Sequence, residues 1–284
     1  MTRPVAGPFT SDRAGRAAPS HPRGVFLLFW LLGSLLLAFI AMPLVLLSVA
    51  PSGESLARAA RMVDVRDAIV LSVEAAFLTT AIAALVGVPL AYALARTSFA
   101  GKGVVAAIID LPLAVPHTVA GIALLMVFGR QGIIGGPAEA LLGLKFWGTI
   151  AGIVAAMLFV SAPYTVNAAR IGFEGVDPRL EKVARTLGMG PWRTLFHVTL
   201  PLSRRSIMTG VTLTYARSIS EFAAVVILVY YPMTAPVEIY ELFLRFGLDD
   251  AAAAAVLLLI LCLALFILLR YIAYGRGAGR GGGR

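Results

Sequence analysis

Long apolar stretches alternate with short polar segments along this chain of 284 residues. A helix needs about 20 apolar residues to cross roughly 30 Å of hydrocarbon, and six stretches come close to that length. The predicted spans are residues 25–49, 68–95, 104–128, 149–169, 206–230 and 251–272. The pattern therefore indicates an all-α, multi-pass membrane protein.

The third predicted span is the least regular. Asp110, Pro112, Pro116 and His117 interrupt it, so residues 104–111 are expected to lie along the membrane interface, with a short span after Pro112. Prolines and polar groups at membrane depth need partners from neighbouring helices or a watery cavity. We therefore expect this span to face protein.

Composition supports a membrane class and excludes several kinds of site. Hydrophobic residues make up 59% of the chain and charged residues 14%, against about 25% charged in soluble proteins. A single cysteine, Cys262, allows neither a disulfide within the chain nor a cysteine-based metal site. His21, His117 and His197 lie in separate segments, so no metal site and no cofactor bound by this chain is predicted.

The net charge of +9 predicts orientation. With the N-terminus in the cytoplasm, 17 of the 24 lysines and arginines fall in the tails and in the loops around residues 96–103 and 170–205. Six fall on the opposite side and Arg217 lies within a span, as the positive-inside rule requires. The basic residues are dispersed and form no folded basic face, so no nucleic-acid partner is predicted.

The two ends of the chain are predicted to be cytoplasmic tails. Residues 1–24 combine arginines with Pro, Gly and Ser and lack the apolar residues of a core, which predicts disorder. Residues 273–284 are rich in Gly and Arg. A cleavage site after Ala50 is the alternative for the first span, but the run is about twice a usual signal core and Pro51 would follow the cut. An uncleaved anchor is therefore expected.

Residues 172–205 are too polar for a span and too patterned for a linker. Asp177 is a plausible N-cap with Pro178 at the first helical position, so a helix is predicted from Pro178 to about Leu187, where Gly188 ends it. Residues 190–192 should make a turn.

A second short helix is expected to follow that turn and to end at Leu-Pro, before the fifth span. The resulting knob, with apolar and basic faces, suits docking into the groove of a partner. Trp192, Phe196 and the arginines would serve equally well in an amphipathic hairpin lying on lipid headgroups, and the residues alone leave both interpretations open.

Several residues of this loop follow a known spacing, in which Glu-Ala-Ala, three residues, Gly, nine residues and Ile-x-Leu-Pro succeed one another. The residues at matching positions are Ala184, Gly188, Val198, Leu200 and Pro201. The loop thereby resembles the cytoplasmic coupling loop of ATP-binding-cassette (ABC) importer permeases. Lys182 and Val183 stand where the family has its first Glu and Ala, and Glu181 lies one residue earlier. The resemblance implies that Glu181 makes the family's Glu contact to the ATPase, or that no Glu does.

The resemblance also implies an assembly. Residues 25–272 would form a type I ABC importer permease domain in the cell membrane, acting as a homodimer with two ATPase subunits that bind ATP and Mg, and with an extracytoplasmic oxyanion-binding protein. The chain itself has no Gly-x4-Gly-Lys-Ser/Thr phosphate loop, so it is not that ATPase, and the resemblance implies that it is not an enzyme.

Two further stretches, residues 111–135 and 216–243, indicate a substrate class. Pro-His-Thr-Val-Ala-Gly at 116–121 and Tyr-Tyr-Pro-Met-Thr-Ala-Pro at 230–236 resemble the molybdate/tungstate permease branch, while sulfate permeases share Ser-Glu-Phe at 220–222. With residues 89–96 the resemblance covers residues 68–272. It implies molybdate or tungstate import, with a sulfate-type permease, a passive anion channel or an intramembrane enzyme as alternatives.

A tetrahedral dianion crossing a low-dielectric barrier needs hydrogen-bond donors along its route. The candidates for the path and its gate are Pro116, His117, Thr118, Gly121, Arg217, Ser218, Ser220 and Glu221. Each hydroxyl has the alternative of bonding to a carbonyl of its own helix. Arg217 and Glu221, four residues apart in the fifth predicted span, can pair on one helical face. Such pairing lowers their cost in the membrane and is compatible with a gate between two copies.

Overall fold

The computed structural model describes residues 23–274, so the predicted tails at 1–24 and 273–284 lie almost wholly outside the described residues. That part of the chain is helical and contains no strand. Its helices are α1 Arg23–Val49, α2 Gly53–Arg61, α3 Val63–Arg96, α4 Lys102–Ala114, α5 His117–Phe128, α6 Gly135–Leu142, α7 Ile150–Glu174, α8 Pro178–Thr186, α9 Pro191–Thr194, α10 Leu200–Ile219, α11 Ala223–Leu228, α12 Ala235–Phe246 and α13 Leu248–Tyr274. The first compact unit contains α1, and the second contains α2 to α13.

Within the described residues, four helices are long and apolar enough to cross a bilayer: α1, α3, α7 and α13. The pair α4 and α5 makes a fifth candidate, because the two helices pass the same test together although they are bent by 114°. The prediction of an all-α, multi-pass membrane protein is confirmed. The count of six uniform spans is not exact, because the third and fifth predicted spans are broken.

The bend between α4 and α5 comes three residues later than the sequence predicted. Pro112 lies inside α4, which continues to Ala114. Val115 is then extended, with φ −79° and ψ 131°, as expected of a residue before proline. Pro116 caps the start of α5, so the break belongs to Pro116 and not to Pro112.

The fifth predicted span is a polar helix, α10, followed by a break at residues 220–222 and the short helix α11. α10 is buried against α7 at close range. A Cβ on Gly210 would lie 2.7 Å from the Cβ of Ala168, and the hydroxyls of Thr165 and Thr214 are 2.7 Å apart. Protein therefore supplies the hydrogen bonds that lipid could not supply to this polar helix.

The core of the second unit lies where α3, α7, α10 and α11 meet. Fully buried members include Ala75, Ile153, Met157 and Val225. Small residues on α3 let α7 approach closely, as small residues do in membrane helix packing. The last residues of α10 and the first residues of α11 belong to this core. Packing therefore holds the two helices in place on either side of the break.

The polar loop folds as two helical segments. Asp177 caps α8 by accepting a hydrogen bond from the backbone N–H of Arg179 at 2.8 Å, and Gly188 turns the chain with φ +85°. The predicted N-cap is confirmed, and α8 ends at Thr186, one residue before the predicted end.

The second short helix does not end at Leu-Pro, as the sequence predicted. α9 passes through a π-helical turn, Leu195–Thr199, into α10 without a stop. The N–H of Leu200 bonds to the carbonyl of Leu195, five residues back. Pro201 lies in the first turn of α10 and, having no N–H, donates no bond to the π-helical turn before it. The loop and the following helix are therefore one continuous body.

Candidate functional site

The loop at residues 172–205, which we call the coupling loop after the resemblance in its sequence, presents a set of large apolar side chains outward. The exposed members are Leu180, Val183, Leu187, Trp192 and Phe196. The Trp192 and Phe196 rings stack with centroids 6.4 Å apart, and Leu187 keeps 79% of its surface exposed. We call these five residues the coupling surface. An apolar patch of this kind on a polar loop is typical of an interaction site.

Basic residues alternate along the chain with the members of the coupling surface. Arg179, Lys182, Arg185 and Arg193 are all exposed. Lys182, at the position of the family's first Glu, therefore faces outward and adds positive charge there. A partner that fits this surface would offer an apolar cleft with acidic groups at its edge.

The other predicted members of the loop lie at or beneath this surface. Ala184 is buried on the inner side of α8, Val198 and Leu200 are half-buried, and Gly188 and Pro201 are exposed. Ala184 therefore faces inward on α8, while Leu180 and Val183 of the same helix face outward.

Glu181 is not on the coupling surface. Its residue is only 6% exposed, and its Oε1 accepts hydrogen bonds from Arg96 Nε at 2.9 Å and from the Thr199 hydroxyl at 2.9 Å. The Nη2 of Arg96 lies 2.8 Å from the same oxygen. The possibility that Glu181 makes the Glu contact to a partner therefore finds no support, since its carboxylate is used within the chain.

Sequence reasoning missed Arg96. A basic residue at the end of an apolar span is what the positive-inside rule predicts, and that signal does not say which acid the side chain will meet. Glu181 lies 85 positions along the chain from Arg96. Only the folded arrangement of α3, α8 and the π-helical turn brings the two together.

A second cluster forms where α5 begins and α10 ends. The Nη2 of Arg217 donates to Glu221 Oε2 at 2.6 Å, and it lies 2.9 Å from Nδ1 of His117. His117 Nδ1 is 3.1 Å from Glu221 Oε2. The three side chains form one contact network, which we call the gate cluster. The predicted Arg217–Glu221 pairing is present, but Glu221 lies in the break after α10 and not on its helical face.

Burial within the gate cluster is uneven. The Glu221 side chain is 1% exposed, while those of Arg217 and His117 are 24% and 38% exposed. The second carboxylate oxygen of Glu221 accepts the backbone N–H of Ala224 at 2.9 Å, in the first turn of α11. Glu221 is therefore a fixed anchor, and the two basic groups form the open side of the cluster.

The remaining path candidates divide into neighbours of the gate cluster and packing residues. Ser220, Thr118 and Pro116 are exposed beside it, and Arg217 Nη1 lies 3.4 Å from the Ser220 hydroxyl. Ser218 is fully buried, and its hydroxyl lies 2.8 Å from that of Ser161 on α7.

Gly121 belongs to the packing residues, because a Cβ there would lie 2.9 Å from the Cβ of Ile227. The structure thus brings His117, Arg217, Ser220 and Glu221 together, and it gives Ser218 and Gly121 to helix contacts. Among residues 23–274, no group of three or more His, Cys, Asp or Glu side chains could hold a metal ion.

Comparisons with known proteins agree with this architecture. A family described as the binding-protein-dependent transport system inner membrane component matches residues 83–276. The molybdate/tungstate transport system permease protein WtpB of Thermococcus kodakarensis is 43% identical over 247 residues, which cover 86% of this chain and 94% of that protein. The molybdenum transport system permease protein ModB of Escherichia coli is 36% identical over 206 residues, which cover 71% of this chain and 90% of that protein.

A solved structure shows the same fold at much lower identity. It belongs to a bacterial ABC transporter involved in the import of the acidic polysaccharide alginate, and it matches with a TM-score of 0.72 at 15% identity, covering 88% of this chain and 96% of that chain. The family match spans more than half of the chain, and the relatives match over most of their length. The chain therefore belongs to the family of inner membrane components of binding-protein-dependent transport systems, with the fold of a type I ABC importer permease.

Proposed function

We propose that this chain is the permease subunit of an importer for molybdate or tungstate. Its relatives of that name match it over 94% of their length, so the similarity includes both the coupling loop and the gate cluster. Two copies would form the path, two ATPase subunits would bind the coupling loops, and an extracytoplasmic protein would deliver the oxyanion. ATP and Mg would be held by the ATPase subunits.

The coupling surface is the observation that carries the proposal. Its five apolar side chains stand out of a loop whose inner side is fixed by Glu181 and whose outer edge is basic. An apolar centre with a charged rim is the usual anatomy of a protein interface. The alternative, a hairpin lying on lipid headgroups, accounts for the basic and aromatic residues but gives no role to the spacing shared with the family.

The order of spans supports a cytoplasmic coupling loop. Four candidate crossings precede the loop: α1, α3, the bent pair α4–α5, and α7. An even number of crossings returns the chain to the side on which it began. Since the positive-inside rule places the basic N-terminal segment in the cytoplasm, it places residues 172–205 there as well. A further passage through α10 and α11 and a return through α13 would leave the C-terminus on the same side.

The gate cluster supplies what an oxyanion needs. A dianion at membrane depth is stabilised by cationic groups and hydrogen-bond donors, and Arg217 and His117 form the open side of the cluster. In this structure Glu221 neutralises Arg217 at 2.6 Å. We infer that the arginine is held by its own carboxylate when the path is closed, and that its donors turn to the passing oxyanion when the two copies rearrange.

Transport would follow alternating access. ATP binding draws the ATPase subunits together, the coupling loops move with them, and the path opens outward to accept the oxyanion from the binding protein. Hydrolysis then returns the path to the inward side. No covalent chemistry is assigned to this chain, in contrast to the intramembrane enzyme alternative.

Proteoliposomes test this function. The permease, its ATPase subunits and its binding protein are reconstituted together, and uptake of molybdate, tungstate and sulfate is measured with and without ATP. ATP-dependent uptake of molybdate or tungstate, absent without the binding protein, is the expected result. Uptake by the permease alone would establish a passive channel, and preference for sulfate would overturn the substrate class while leaving the importer in place.

A further inference from the structure

Arg96 joins the coupling loop to the longest helix of the second unit. It is the last residue of α3, which spans 34 residues from Val63. Its Nε and Nη2 both reach Oε1 of Glu181, at 2.9 and 2.8 Å. Nη2 also donates to the backbone carbonyl of Val176 at 3.1 Å, in the turn between α7 and α8. One side chain therefore contacts both the turn that enters α8 and the helix itself.

Thr199 adds the opposite end of the loop to this network. Its hydroxyl donates to the same Glu181 oxygen at 2.9 Å, and it is the last residue of the π-helical turn before α10. This single carboxylate oxygen on α8 thus holds groups from α3 and from the segment leading into α10. We call Arg96, Glu181 and Thr199 the clasp.

The clasp is buried and closely bonded. The side chains of Arg96 and Glu181 are 14% and 8% exposed, and the residue Thr199 is fully buried. Charge-assisted hydrogen bonds with several donors on one oxygen are short and directional. Removing one charge leaves the other unpaired and poorly hydrated. The coupling loop therefore cannot shift away from the end of α3 without a large energetic penalty.

We propose that Arg96 is the positioning residue through which movement of the coupling loop reaches α3, with Glu181 as its partner on α8. The proposal rests on the proposed function, because it assumes that an ATPase moves the loop. The ATPase would contact Lys182 and the coupling surface on the outer side of α8. Glu181, on the inner side, would transmit the displacement of α8 to Arg96. The two neighbouring residues then serve opposite faces of one helix.

This assignment changes the role that the family pattern gave to the first Glu. A carboxylate that pairs with an ATPase must reach the outer surface, and that of Glu181 is turned inward onto Arg96. Because α3 runs from the loop across the membrane, a load applied at its last residue can move the whole span.

The test compares Arg96→Gln and Glu181→Gln with the wild-type complex of permease, ATPase subunits and binding protein. Arg170→Gln is the matched control, since Arg170 pairs with Glu174 at 2.9 Å on the same side of the membrane but is more exposed and lies outside the clasp. Oxyanion uptake and ATP hydrolysis are measured in the same proteoliposomes, and copurification of the ATPase reports assembly.

The expected result is a split between hydrolysis and transport. Both clasp variants should assemble and hydrolyse ATP at the basal rate, while uptake per ATP falls by about tenfold or more. The control should keep its ratio within about twofold. Arg96→Lys, which keeps the charge but has one nitrogen in place of the two with which Arg96 contacts Oε1, should lie between the wild type and Arg96→Gln.

Two results would overturn the proposal. One is an unchanged ratio of uptake to hydrolysis in Arg96→Gln. The other is loss of assembly in both Arg96→Gln and Arg96→Lys, which would assign the clasp to the folding of the loop alone. Failure of the wild-type complex to couple ATP to uptake would instead defeat the proposed function, so the two hypotheses fail in different ways.

Discussion

Arg217 reaches Glu221 across a helix end. α10 stops at Ile219, and the guanidinium bonds to the carboxylate at 2.6 Å, although Glu221 lies outside the helix. The carboxylate is held from its other oxygen by the N–H of Ala224, at the start of α11. The Glu221 side chain therefore links the end of α10 to the start of α11 across the break, and it holds the arginine of the gate cluster in place.

The uneven burial of this pair predicts unequal effects of neutralising its members. Arg217→Gln removes the arginine from an almost fully buried carboxylate, which keeps only His117 and the N–H of Ala224 as partners, and the cost of breaking a buried pair in this way is about 3–5 kcal/mol. Glu221→Gln should cost less, because Arg217 is partly exposed and can be hydrated. Thermal unfolding in detergent should rank Glu221→Gln as the more stable variant.

The double variant and an exposed pair complete that comparison. Arg217→Gln with Glu221→Gln should be more stable than Arg217→Gln alone, since no charge remains unpaired. Arg245 and Glu241 have the same spacing, but Arg245 is 61% exposed, so Arg245→Gln should change stability by about 1 kcal/mol or less. A double variant less stable than both single variants would contradict this account.

Gly121 lies at a close contact between α5 and α11, which predicts that a larger side chain is not tolerated there. A Cβ at this position would lie 2.9 Å from Ile227 Cβ and 3.1 Å from Ala224 Cα. Gly121→Ala should therefore push the two helices apart and destabilise the protein by about 1–3 kcal/mol. It should also lower uptake, because His117 begins α5 and Ala224 holds Glu221.

Gly103→Ala is the control for the glycine at 121. Gly103 is also helical, and a Cβ there would meet nothing within 4 Å. The change should be neutral or stabilising by up to about 1 kcal/mol. Equal melting temperatures for the two alanine variants would show that α5 and α11 can move apart to accept the added Cβ at little cost in stability.

Gly188 predicts the sensitivity of the coupling loop to backbone conformation. Its φ of +85° disfavours side chains with a Cβ, at a cost of about 1–2 kcal/mol. Gly188→Val should redirect α9 relative to α8 and reduce uptake per ATP without preventing membrane insertion. Gly188→Asn should have a smaller effect, because Asn tolerates this conformation better.

Gly190, two residues later, tests whether the effect of Gly188→Val comes from the backbone conformation at Gly188 or from added bulk in the turn. Gly190 has φ −66° and ψ 164° and open space around it, so Val is compatible with its backbone. Gly190→Val should leave the ratio of uptake to ATP hydrolysis close to wild type. A loss equal to that of Gly188→Val would assign the effect to bulk in the turn instead of to φ.

Glu139 predicts a pH dependence in the segment between α5 and α7. Trp147 Nε1 donates to Glu139 at 3.0 Å, and this bond, followed by Lys145, lowers the pKa of the carboxyl below its usual value of 4.5. A pKa lowered by folding stabilises the folded segment at pH values above the usual value. The contribution is lost as the pH falls through the lowered pKa.

Tryptophan fluorescence measures this titration. With Trp30 and Trp192 replaced by Phe, the Trp147 emission should change on acidification with a midpoint below 4.5. Glu139→Gln should abolish the transition. A midpoint at or above the usual carboxyl value would show that the hydrogen bond does not control the titration.

The sequence was sufficient for the class of the protein and for α8, the first helix of the coupling loop. Apolar runs long enough to cross a bilayer must be helical, because lipid offers no partners to an open backbone. Asp177, Pro178 and Gly188 fix the ends of α8 through local hydrogen bonds and backbone geometry. The spacing from Ala184 to Pro201 indicated the family, and the comparisons confirm it.

Local signals placed the irregular helices less well. The break near the third span was predicted at Pro112, but it follows Ala114, because either proline could end a helix and only packing selects one. The polarity of α10 gave no sign of a break at residues 220–222. That break depends on Glu221 meeting Arg217, His117 and the N–H of Ala224.

By itself, then, the sequence determined what depends on neighbouring residues: the apolar spans, the capped helix α8, the turn at Gly188 and the outward basic charge. Tertiary structure alone decided what Glu181 binds, which hydroxyls are buried and which side chains form the gate cluster. Arg96 and Glu181 lie 85 positions apart, and His117 and Arg217 lie 100 apart. Contacts between such distant positions depend on how the helices pack, and no local pattern records that packing.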